Sequence, residues 1–138
     1  MRRGFMALAV LFLCQPALAA DSPCLSKYKT ITNQFYVYNT KSVASNAVMD
    51  RIATYYVEGS DVSKIRPSDA KAWRAAIEDF IAAGQPMLQN FLEYKALGCS
   101  PDQQSQLNEQ IDKITDDLKQ SRARLNSLIS GLPASAFR

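Results

Sequence analysis

The sequence predicts an all-α fold: an elongated antiparallel three-helix bundle stapled by one disulfide. Three observations carry that expectation. Apolar residues recur at three-and-four spacing along three segments, residues that start and stop helices punctuate the gaps, and two cysteines stand where antiparallel helices of similar length would meet.

The chain opens on a segment with its own logic. Met1-Arg2-Arg3-Gly4 is a short positive stretch, Phe5 to Leu13 is uninterruptedly apolar, and Gln15-Pro16 breaks any helix before the small residues of Ala17-Leu18-Ala19. This is the pattern of a cleavable export signal, with cleavage after Ala19 or Ala20. Residues 1–20 are therefore expected to leave and 21–138 to form a single helical domain. An apolar run of about nine residues is half of what a bilayer's hydrocarbon requires, so no transmembrane segment is expected after cleavage. Leu13 is bulkier than the small residue that lipid attachment at Cys14 would want before it. Losing Arg2 and Arg3 leaves 14 basic against 13 acidic residues, so the basic excess belongs to the leader and is no footprint of a nucleic-acid partner. The short leader and its Ala-Leu-Ala end point to a bacterial source, with the periplasm as the first expected destination and secretion as the second.

Within the remaining chain, Ser22-Pro23, Pro67-Ser68-Asp69 and Ser100-Pro101-Asp102-Gln103 resemble helix starts. In the last, Ser100 would cap the first turn, Pro101 would sit at the first helical position and Gln103 would complete a capping box. Gly59, Gly98 and Gly131 resemble the left-handed residues that close helices. The first segment's stripe is Tyr28, Ile31, Phe35, Tyr38, Ser42, Ser45, Met49, Ile52 and Tyr56. The second runs Ala70, Trp73, Ile77, Phe80, Gly84, Met87, Phe91 and Tyr94, and the third Leu107, Ile111, Ile114, Leu118, Ser121, Leu125, Leu128 and Leu132. Such alternation is the seam of a long helix lying nearly parallel to its neighbours. Ile81, Leu88 and Leu92 widen the second stripe, as befits a helix touching both others.

A competing expectation is an α+β fold with a short hairpin in the N-terminal third. Lys29 to Tyr38 and Thr54-Tyr55-Tyr56-Val57 are rich in the β-branched and aromatic residues that suit strands. Pro86 is expected to kink the second helix or split it near Gly84.

Cleavage leaves two cysteines, Cys24 and Cys99. In an oxidising compartment a pair is expected to bridge, and their positions at the start of the first helix and the end of the second bring them to one end of the bundle. They lack the close spacing of a redox-active pair.

The chemistry available is narrow. There is no histidine, which removes the usual general base and the commonest zinc and haem ligand. No phosphate-binding glycine loop or nucleophile elbow is present. The adjacent pairs Glu78-Asp79 and Asp116-Asp117 would point about 100° apart on a helix and would not converge. No enzymatic activity, cofactor or metal is expected. The leading expectation is an exported interaction module: a periplasmic or secreted helical adaptor, a component of a secretion or surface assembly, or an inhibitor or immunity-type protein. Its partner would be another envelope or secreted protein, met through the off-seam tyrosines Tyr36 and Tyr55. The alternative is a sensor or carrier of a small ligand, with its pocket at a waist near Ser45, Phe80, Gly84 and Ser121, where small or polar residues interrupt the stripes.

Overall fold

The computed structural model describes residues 22–138; the leader expected over residues 1–20 lies outside the described residues. Three long helices, α1 (Pro23–Ala53), α2 (Pro67–Ala96) and α3 (Gln104–Gly131), follow one another up, down and up. At 1.5 Å per residue each spans about 42 to 46 Å. Single 3-10 turns at Val62–Lys64, Pro101–Gln103 and Ala134–Phe137 fill the connections and the C-terminal tail.

The apolar stripes decide the packing. All positions of the three predicted seams are buried or half-buried. They form three layers along the bundle. At the disulfide end Ile31, Tyr94, Cys99, Leu107 and Ile111 pack together. Tyr38, Phe80, Met87, Ile114 and Leu118 make the middle. Ile52, Tyr56, Ile65, Ala70, Trp73, Ile77 and Leu128 close the far end. The second helix packs against both others along its length, whereas the backbones of α1 and α3 stay apart. Ile81 and Leu88 of the widened stripe join these layers, but Leu92 remains exposed.

Ser22 caps α1 as its sequence predicts, its hydroxyl accepting the Leu25 N–H at 3.1 Å, with Pro23 at the first helical position. Cys24 and Cys99 are bridged, their Cα atoms 5.7 Å apart, and Gly98 closes α2 in the left-handed conformation, φ +70°.

Several expectations are corrected. No strand occurs among the described residues, and Lys29 to Tyr38 is helical throughout. Its aromatics fall at helical spacing with one flank buried, and that burial overrides β-propensity. The second helix is not split at Gly84 but runs unbroken through Pro86, because Phe80, Gly84, Met87 and Tyr94 are buried on one face and hold both sides of the proline in register. The capping box at Ser100 does not form. Ser100 is left-handed, φ +52°, and caps nothing; its hydroxyl lies 2.7 Å from that of Tyr94, and the Gln103 side-chain oxygen is buried without a partner. With Cys99 tethered and left-handed residues on both sides of it, the chain turns Ser100 toward α2 rather than toward the free amides of the next helix. Gly59 lies beyond the end of α1, in a turn, at φ +91°. Gly131 is the last residue of α3, as expected of a stop, but it is not left-handed; Val62 packs so closely there that a Cβ would collide with it.

Candidate functional site

The separation of α1 from α3 opens a cleft of about 270 Å³ at the waist. Each helix supplies its lining through simple periodicity. Ser42, Ser45 and Asn46 sit at i, i+3 and i+4 on α1, while Lys113, Asp117, Gln120, Ser121 and Arg124 lie within one stripe of α3; Phe80 of α2 forms the floor. Three of the four waist residues predicted from sequence, Ser45, Phe80 and Ser121, thus line one space. The fourth, Gly84, does not. It lies under Leu118 and Tyr38, whose atoms stand 2.7 Å and 3.0 Å from where a Cβ would be.

Side chains from α1 and its following loop brace the cleft at both ends. The Tyr38 hydroxyl donates to Asp117 Oδ2 at 2.9 Å, and Lys113 Nζ donates to the same oxygen at 3.2 Å. Beyond the other end, Arg124 Nε donates to Glu58 Oε1 at 2.7 Å. Burial, followed by the adjacent Asp117 charge and the hydrogen bond to it, pushes the Tyr38 hydroxyl far above its ordinary pKa. Tyr38 is therefore a fixed neutral donor, with its ring 4.8 Å from that of Phe80. Between the braces, Ser42, Ser45, Asn46, Gln120 and Ser121 line the cleft with hydroxyls and carboxamides. Ser121 is only 8% exposed and lines the cleft.

The two off-seam tyrosines part company. Tyr36 is 75% exposed, next to Val37 and one helical face from Val43, both also exposed. Tyr55 is also exposed, at 40%, but it is engaged by its own chain: its hydroxyl donates to Asp69 Oδ2 at 2.8 Å and its ring lies under the Arg66 guanidinium at 4.6 Å. Asp69 also accepts from Arg51 and Arg66 at 3.0 Å and 2.9 Å. Reasoning from sequence missed this cluster, which ties the end of α1 to the start of α2, because it depends on a loop closing. It also missed Val37 and Val43. A signal for them was available: from Thr30 to Met49 the only charged residue is Lys41, and Lys41 is paired with Asp79 at 2.7 Å. The exposed face of α1 over that stretch carries no charge.

The carboxylate pairs do not converge. Glu78 pairs with Arg74 and Asp79 with Lys41, while Asp117 is held by Tyr38 and Lys113. No helix among the described residues is long and apolar enough to cross a membrane.

No protein-family model, curated protein or solved structure matches the chain. What it can do is therefore argued from a feature of its own, the uncharged outer face of α1.

Proposed function

We propose that this protein is an exported, non-enzymatic interaction module whose contact surface is the outer face of α1. The observation that carries this reading is the uncharged face bearing Tyr36, Val37 and Val43, three exposed large side chains on one helix, where α3 by contrast carries charges from Glu109 to Arg124. Interface centres are depleted in charge and enriched in tyrosine, and an exposed tyrosine offers broad apolar area with a polar tip at low entropic cost. The partner this surface fits is another exported protein presenting an uncharged, largely apolar face. A nucleic acid would call for a cluster of cations, and an anionic membrane surface for a basic flank; the single Lys29 at one end of this face is balanced by Asp50 at the other. The export signal read from residues 1–20 and the Cys24–Cys99 bridge support an oxidising compartment as the place of contact.

The test is a photo-crosslinking amino acid at Val43, compared with one at Asp112 on the charged side of α3, in the extracytoplasmic fraction of the source cells. One defined heteromeric product at position 43, lost on Tyr36→Glu and absent at position 112, is the expected result. A product of two copies of this chain, or equal labelling at both positions, would overturn the assignment.

A further inference from the structure

Given the outer face of α1 as the contact surface, on which this step rests, we propose that the partner meets it with one long amphipathic helix. That helix lies along α1 and sets an acidic residue beside Lys29 and a basic one beside Asp50.

Asn33, Tyr36, Thr40, Val43 and Ala47 are all exposed and follow one another at steps of three, four, three and four. That is the repeat of a helix-packing seam. The row lies on the side of α1 opposite Ile31, Tyr38 and Ile52, the residues this helix buries in the bundle. One seam of α1 is thus filled by its own chain, while the second stands open to solvent. A strand or a loop laid across a helix meets two or three of its residues. Only another helix repeats its contacts at this interval along the whole row.

The two ends of the row give the occupant its charges. Lys29 and Asp50 continue the same seam, with Tyr36 and Val43 spaced by heptads between them. Both are exposed, and neither enters an ion pair among the described residues. The other cations of α1 are already held: Lys27 by Glu93, Lys41 by Asp79 and Arg51 by Asp69. A row with one available charge of each sign at its ends selects the direction of what lies on it, because a reversed partner sets like charge against like. Lys29 and Asp50 stand three heptads apart, about 32 Å along the helix axis, so the docked helix needs about six turns.

Side-chain size sets the rest of its chemistry. Tyr36 projects from the row at 75% exposure, whereas Thr40 and Ala47 are small. Knobs-into-holes packing therefore calls for a small residue of the partner over Tyr36 and larger apolar ones over Thr40 and Ala47. The flanks are uncharged, with Val37 and Ala44 on one side and Thr32, Asn39 and Asn46 on the other. The partner's flanking positions meet no ions there.

The test places an aromatic photo-crosslinking residue singly along α1 of the full chain, in the extracytoplasmic fraction of the source cells. Asn33, Tyr36, Thr40, Val43 and Ala47 sample the row, and the exposed Thr30 and Asn46 sample the two sides of the helix away from it. A heteromeric product at all five row positions, and little at Thr30 and Asn46, is expected. Lys29→Glu and Asp50→Lys are each expected to lower the yield at Val43 about threefold or more, while Lys71→Glu, an exposed charge on α2, leaves it unchanged. Products confined to one turn of α1, or as strong at Thr30 and Asn46 as in the row, would overturn the docked helix while leaving α1 the contact surface. Yields indifferent to both charge reversals would overturn it too. No product at any α1 position, or only a product of two copies of this chain, would remove the contact surface itself and the docked helix with it.

Discussion

Gly84 sits where α2 passes beneath two side chains of other helices. Alanine is about 1 kcal/mol better than glycine in a helix interior, so propensity alone predicts that Gly84→Ala stabilises. Packing predicts the reverse. The new methyl would meet Leu118 Cδ2 at 2.7 Å and the Tyr38 ring at 3.0 Å, and neither has room to yield: Leu118 is fully buried, and Tyr38 is anchored through its hydroxyl to Asp117. Overpacking of this kind costs about 1–3 kcal/mol, and it wins. Gly84→Ala is expected to lower the urea midpoint by the equivalent of about 1 kcal/mol with an unchanged slope. The stripe register placed Gly84 on the core side, but only the positions of Tyr38 and Leu118 distinguish a close approach from a gap. Asp69 makes a second prediction at this scale. The Tyr55 hydrogen bond first, then the Arg66 charge and hydrogen bond and the Arg51 charge, hold its carboxyl below its ordinary pKa against an opposing cost of burial. A folded-state pKa depressed below the unfolded value stabilises the protein above the unfolded pKa and loses that contribution as pH falls through the folded one. The stability gap between the natural chain and Asp69→Asn should therefore be widest near neutrality and close below about pH 4. A gap that stays constant across an acid titration of urea midpoints would show that the Asp69 charge contributes nothing.

At the scale of the element, the stripes and the cysteines were legible in the sequence because both depend on periodicity and topology alone. What was illegible depended on contacts across elements. The capping pattern at Ser100 is correct as a local motif and fails because the Cys24–Cys99 bridge and the left-handed Gly98 and Ser100 set the direction of entry into α3. Pro86 signals a break locally, yet α2 continues through it with an amide missing from the ladder. Because Pro86 is exposed, replacing it opens no core cavity, and alanine restores the amide facing the Ala82 carbonyl. Interior proline costs about 3 kcal/mol relative to alanine, so Pro86→Ala is expected to stabilise by about 1–3 kcal/mol in urea melts. No gain would mean that α2 is already distorted enough around this residue for the lost bond not to matter. The disulfide gives a prediction of opposite sign. It joins residues 75 apart, and on the chain-entropy model closing such a loop is worth about 4 kcal/mol. Cys24→Ala with Cys99→Ala is expected to lose most of that, and reduction of the natural chain should reproduce the loss.

Considered whole, the bundle is firm at its two ends and thin at its waist. The disulfide closes one end, and the tail after α3, of which only Leu132 was legible in the sequence, closes the far end by non-covalent means. Ala136 is buried, and Leu132 and Phe137 pack against the layer around Trp73 and Ile77, with the Arg74 guanidinium 5.0 Å from the Phe137 ring centre. Helical periodicity ends with α3, so no pattern could place these residues, although Leu132 continued the stripe. If the tail is a clasp, ending the chain at Gly131 should expose the apolar surface it covers. Partial burial of one Leu and one Phe is worth about 2–4 kcal/mol, and stability should fall by that amount. The chain's single tryptophan lies in this layer, so its emission should shift to the red in the shortened chain while the protein is still folded. Hydrogen exchange should accelerate first at Ala70 to Ile77 and leave the amides around Cys99 and Leu107 protected, because the disulfide end loses no contact. Unchanged tryptophan emission, or exchange that accelerates evenly along the bundle, would show that the tail is not what holds the far end closed.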